Sequence, residues 1–119
     1  MEPFVAAVAA DHEIPDWAPI SVRVGDHVQV GDRDTTWPAF VFVTVATGKG
    51  WVPERLLDDQ RPVARVLQDY DTRELPVSAG DRVVVTIDDA ESGWCWCTND
   101  DGRAGWVPRR VLVVDTDAQ

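Results

Sequence analysis

Cys95 and Cys97 are the residues whose chemistry is most easily named, and their spacing argues against it. Residues i and i+2 of a strand point to the same side, too far apart for an easy disulfide. A zinc site needs about four ligands, and no second Cys pair or His partner lies nearby. A small buried hydrophobe is the expected role, since free Cys is among the most buried residue types. His12 and His27 carry no motif; His12 is a candidate pH-sensitive contact. The acids gather in two clusters, Asp69, Asp71 and Glu74, then Asp88, Asp89 and Glu91. Carboxylates can perform acid–base catalysis, but no nucleophile or oxyanion donor accompanies these. Most are expected to be solvated loop acids. Together they would form a negative rim that steers a basic peptide, raising its on-rate more than its affinity. The expectation is therefore a non-enzyme with no metal and no cofactor.

The elements that must position these residues come in a repeat. Gly25-Asp26 recurs as Gly80-Asp81, and Gly50-Trp51-Val52-Pro53 as Gly105-Trp106-Val107-Pro108, both 55 residues on. Phe40 to Thr44 lies against Trp94 to Thr98 at an offset of 54. Three matches in one order give two copies of a unit. The boundaries read as 1–58, a linker at 59–62, a second copy at 63–114 and a tail at 115–119. Each copy reads as all-β, because no 3.6-residue apolar period is sustained and short β-branched runs alternate with Gly, Asp, Asn and Pro. Strands are expected near 63–68, 82–87, 94–98, 103–107 and 111–114. Asn99 to Gly102 reads as a tight hairpin turn, and Pro53 and Pro108 stop a strand.

Alternation assigns two cores. The first copy supplies Val8, Ile20, Val22, Val28, Val30, Val43, Val52 and Leu57. The second supplies Val66, Leu75, Val77, Val83, Val85, Cys97, Val107 and Leu112. Phe40 to Val43 and Trp94 to Cys97 are apolar on both faces, which a half-exposed strand should not be. Trp37, Phe42 and Trp96 are therefore candidate interface residues, covered by packing between the copies or by a dimer.

In order and spacing, the second copy resembles the SH3 family. Val66-Leu67-Gln68-Asp69-Tyr70 is similar to its Ala-Leu-Tyr-Asp-Tyr signature. Glu74 to Val77 with Gly80-Asp81 resembles the end of the RT loop and the diverging turn. Gly93-Trp94 resembles the start of the third strand, and Gly105 to Pro108 with Val111 the last strand and 3₁₀ turn. The first copy is similar through Val8 to His12, Gly25-Asp26 and Gly50 to Pro53, as a divergent bacterial variant would be. The resemblance implies two tandem five-stranded SH3-like barrels that bind a partner peptide, often as a polyproline helix, between aromatic ridges. It implies a peptide groove at Tyr70, Glu74, Trp94, Trp106 and Pro108, with Glu74 pairing with an arginine of the ligand. It implies a second, weaker groove at His12, Phe40, Trp51 and Pro53. Gln68 and Val111 depart from the signature at the outermost proline pocket.

Charge narrows the partner. Eleven Lys and Arg against 21 Asp and Glu give a net charge of −10. A phosphate backbone or an anionic membrane would be repelled, so neither nucleic acid nor membrane is expected. The start of the chain does not read as a signal peptide, and a cytoplasmic location is the expectation. Two functions follow. One is a non-catalytic module binding a peptide or loop, proline-rich and basic, through an aromatic groove with an acidic rim. The other is a structural tandem whose aromatic faces serve packing or oligomerisation.

Overall fold

The structure is a computed structural model that describes residues 2–14 and 18–114. Among these residues the regular elements are β-strands and two 3₁₀ turns, Glu54–Leu56 and Arg109–Val111. The strands are β1 (Phe4–Val8), β2 (Ser21–Val22), β3 (His27–Arg33), β4 (Phe40–Val45), β5 (Gly48–Pro53), β6 (Val63–Arg65), β7 (Tyr70–Asp71), β8 (Arg82–Asp89), β9 (Trp94–Thr98), β10 (Ala104–Pro108) and β11 (Leu112–Val114). Their composition explains them. In β8, Val83 and Val85 are buried while Arg82, Val84 and Thr86 face out, the period-two pattern of a half-covered strand. Pro53 and Pro108 each stand last in a strand, where a missing N–H costs least.

Two compact units emerge, and they do not coincide with the sequence repeats. Unit 1 joins Met1–Asp16 to Arg73–Gln119, and unit 2 is Trp17–Thr72. The boundaries 1–58 and 63–114 are corrected by strand pairing. β1 lies between β8 and β11, both far along the chain, with Ala6 opposite Val83 and Val8 opposite Leu112. Unit 1 thus carries a sheet in the order β10-β9-β8-β1-β11. Unit 2 carries the sheet β5-β4-β3-β6 and the pair β2-β7. There β6 pairs with β3, Val28 facing Ala64, and Val22 faces Tyr70. Each unit therefore takes its first strand and the following arm from the other repeat. The proposed linker 59–62 lies inside unit 2, where it leads into β6. The tail 115–119 lies outside the described residues.

The exchange moves two core residues. Val8 belongs to the core of unit 1 with Leu75, Val77, Val83, Val85, Cys97 and Val107. Val66 belongs to the core of unit 2 with Ile20, Val22, Val28, Val43, Val52 and Leu57. Sequence alternation identified both as core and placed each in the wrong unit. It also took Leu112 for a core residue and Val30 for another. The structure leaves both partly buried and seats Val111 in the core of unit 1.

The repeated Gly-Asp has a local reason. Gly25 and Gly80 take φ of +93° and +96°, a left-handed conformation that side chains resist. The aspartate that follows folds back, Asp26 accepting from the Arg23 N–H and Asp81 from the Ser78 N–H at 2.9 Å each. A turn of this kind opens the long strand of each unit, β3 or β8.

Candidate functional site

The candidate residues are regrouped by the exchange. His12, read from sequence as part of the second groove, stands in unit 1. Its main chain exchanges hydrogen bonds with Val77 at 2.9 and 3.1 Å, fixing the arm that carries it. Its ring Nε2 lies 2.9 Å from Glu74 Oε1. The ring also meets Trp94 edge to face, centroids 5.5 Å apart. Tyr70, read as a partner of Glu74 and Trp94, stands instead in unit 2. It pairs with Val22 and packs against that core. The candidate residues of unit 1 are thus His12, Glu74, Trp94, Trp106 and Pro108, and Tyr70, Phe40, Trp51 and Pro53 fall in unit 2.

Within unit 1, β9 and β10 set the groove. Register places Trp94 opposite Pro108 and Trp96 opposite Trp106, all four on the face away from Cys95 and Cys97. Pro108 is fully buried and Trp106 nearly so, which makes them floor rather than contact surface. Trp96 packs edge to face on Trp106 at 5.3 Å, an arrangement aromatic pairs favour. Trp94 stays half-buried, and the Glu74 and His12 side chains keep 21% and 14% of their exposure. A ligand could reach those three.

Glu74 is held from below. The Trp106 N–H donates to Arg73 O at 2.9 Å and the Leu75 N–H donates to Trp106 O at 3.0 Å. This lays residues 73–75 directly on β10. A Cβ at Gly105 would stand 2.7 Å from Glu74 C and Leu75 N, closer than any side chain tolerates. The glycine of Gly-Trp-Val-Pro is therefore what lets the acid-bearing segment touch the strand. Sequence reading found that motif as a repeat and missed this use of it.

Unit 2 repeats the plan with different fittings. Phe40 faces Pro53, and Phe42 faces Trp51. Phe42 and Trp51 meet edge to face at 5.1 Å. Phe40 is buried and Pro53 fully so, whereas Trp51, Phe42, Trp37 and Tyr70 remain half-buried. The candidate interface residues Phe42 and Trp96 thus each pack on a tryptophan of their own unit. Trp37 lies at the turn where its carbonyl accepts from the Phe40 N–H at 2.9 Å.

The acid rim is largely engaged. Asp69 accepts from the Val24 N–H at 2.8 Å, and Asp11 does the same for Ala79 at 2.7 Å in the other unit. Asp88 takes Arg109 Nε at 2.5 Å. The Arg109 hydrogen bond holds the Asp88 carboxyl below its usual range, and Asp88 in turn raises Arg109. Glu74 is the rim acid whose engagement, with His12, lies beside the half-buried Trp94. The two cysteines are free, buried thiols pushed up to about 12, chiefly by burial, so neither is a nucleophile at neutral pH. His27 is exposed.

Residues 66–112 match the family model of the variant SH3 domain. No curated protein matches the chain. The fold is all-β, residues 66–112 are SH3-like, and SH3-like domains are in general protein-interaction modules. The variant SH3 match crosses the unit boundary: its residues 66–72 lie in unit 2 and the remainder in unit 1.

Proposed function

We propose that this chain is a non-catalytic interaction module in which unit 1 receives a peptide or loop with a basic residue. Both units are read as SH3-like barrels, a tandem whose first strands are exchanged. The observation that carries the reading is the triad His12, Glu74 and Trp94, joined by contacts of 2.9 and 5.5 Å and partly exposed to solvent. The stem of an arginine or lysine would lie on Trp94, gaining apolar contact and a cation–π attraction. Its charge would meet the Glu74 carboxylate, in competition with His12. A proline turn of the ligand would cover the Trp96–Trp106 surface.

Amide and indole NMR titration with proline- and arginine-containing peptides tests this. Shifts should concentrate at His12, Glu74 and Trp94, and Trp94→Ala should cost on the order of 2 kcal/mol of affinity, as for a central aromatic anchor. Binding unchanged in both Trp94→Ala and Glu74→Ala would remove this groove from consideration. The assembly reading draws less support, because Phe42 and Trp96 already pack within their own units.

A further inference from the structure

The two exchanged segments carry the same inward side chains. Ala6, Val8 and Asp11 of the first correspond to Ala64, Val66 and Asp69 of the second, each 58 residues on. Ala6 and Ala64 are buried, as are Val8 and Val66. Asp11 and Asp69 each accept a backbone N–H of the turn that precedes β8 or β3. The fully buried positions of the two segments therefore match, while at the margin of the core Phe4 packs in unit 1 where an exposed Pro62 stands in unit 2. What differs is the residue carried just beyond: His12 in one and Tyr70 in the other, paired with Val77 and Val22 respectively.

The matched buried positions do not by themselves select the exchanged arrangement. The hinge at Thr72 and Arg73 does. On one side, the Thr72 hydroxyl accepts from the Ile20 N–H at 2.8 Å, and the Thr72 N–H donates to Ile20 O at 2.9 Å. On the other, Arg73 to Leu75 are hydrogen-bonded along β10. If Tyr70 were to fold back onto Val77 of its own repeat, only Asp71 and Thr72 would remain to turn the chain before that pinned stretch. A hinge too short to close on itself favours exchange of the element it carries.

We infer that the short hinge after Thr72 is a selector: it imposes the exchanged arrangement and so places His12, rather than Tyr70, beside Trp94 and Glu74. In the unexchanged arrangement Tyr70 stands in that groove and Glu74 is released from the histidine. Hinge length thereby decides which of two ring chemistries lines the groove. The inference does not depend on what the groove binds.

The test uses the full chain with a specific protease site inserted between Asp59 and Gln60, cut after folding. A second version also carries about six Gly and Ser residues between Thr72 and Arg73, enough to close a flexible turn. The native hinge should show a nuclear Overhauser contact between the His12 ring and the Trp94 indole. Its cut halves should stay together as one species, held by two exchanged strands. The lengthened hinge should lose that contact and gain one from Tyr70. Loss of the His12 contact supports the selector even where the halves stay together. Persistence of the contact in the lengthened chain overturns it, as does its absence in the native chain. Should the lengthened chain lose its dispersed spectrum, a shorter insertion of about three Gly and Ser residues at the same place is read by the same criterion.

Discussion

Units 1 and 2 are built to one plan, yet the same structural post is filled by opposite chemistry. In unit 2 Arg33 reaches Glu54 at 2.5 Å, and Glu54 also takes Arg61 at 3.0 Å. In unit 1 the positions 55 residues later hold Asp88 and Arg109, again 2.5 Å apart, with the signs reversed. Both bridges tie the end of the long strand to the following 3₁₀ turn. The interiors behave differently: Val43 and Cys97, Val52 and Val107, Val28 and Val83 keep nearly equal size and burial. Cores of a repeat are constrained by volume, because packed interiors resist a change of even one methylene. Rims are constrained only by pairing, so a charge can invert if its partner inverts too. The groove follows the rim: Trp94 is half-buried beside a His–Glu pair, whereas Phe40 is buried.

The comparison breaks most readily at the exchanged strand. Val8→Asp puts an unpaired charge into the core of unit 1, at a cost of about 3–5 kcal/mol. Hydrogen exchange should show protection lost across β8, β9 and β10 while β3, β4 and β5 keep theirs. Loss confined to β3–β5 would mean that the strand stays with its own repeat.

Gly105→Ala against Gly50→Ala comes next. The two glycines occupy one position of the plan, but their surroundings differ. A methyl at Gly105 meets backbone at 2.7 Å, while one at Gly50 meets the Ile20 side chain at 3.4 Å. The first should cost about 1–3 kcal/mol, as overpacking does, and lower the melting temperature accordingly. The second should be close to neutral. Equal melting temperatures for the two variants would contradict the tighter approach of residues 73–75 to β10.

The smallest effect concerns the reversed bridges. Arg109→Glu should destabilise unit 1 by under about 1 kcal/mol, since both partners are solvent-screened, and adding Asp88→Arg should restore it. Acid offers a second readout. Hydrogen bonds from Arg109 and Arg33 hold the Asp88 and Glu54 carboxyls below their usual range. Each carboxylate is stabilised by folding. Its contribution is therefore complete above the unfolded value, near pH 4, and is lost as pH falls through the lower folded value. Chemical denaturation at pH 6 and pH 3 should show the loss, and the Arg109→Glu variant should show less of it.

Alternation made most of the core legible, and the Gly-Trp-Val-Pro repeat located β5 and β10. Residue pattern could do this because burial depends on the period of a strand alone. It could not assign Val8 and Val66 to their units. Both sit in matching surroundings, and matching inward side chains carry no information about which sheet receives them. The grouping of two candidate residues changed for the same reason: Trp94, Trp106 and Pro108 lie on adjoining strands of one repeat, whereas His12 arrives through the exchange and Tyr70 leaves by it. A hint was present in the short Tyr70 to Glu74 stretch, which leaves too little chain to turn back.

The interleaved path also orders events during synthesis. Unit 2 is a continuous run of chain, so it can close as soon as β6 and β7 leave the ribosome. β1 is made long before β8 and β11, between which it finally lies. At about 5–20 residues per second the wait is on the order of ten seconds. Throughout it an apolar strand with two open edges must be kept from other chains.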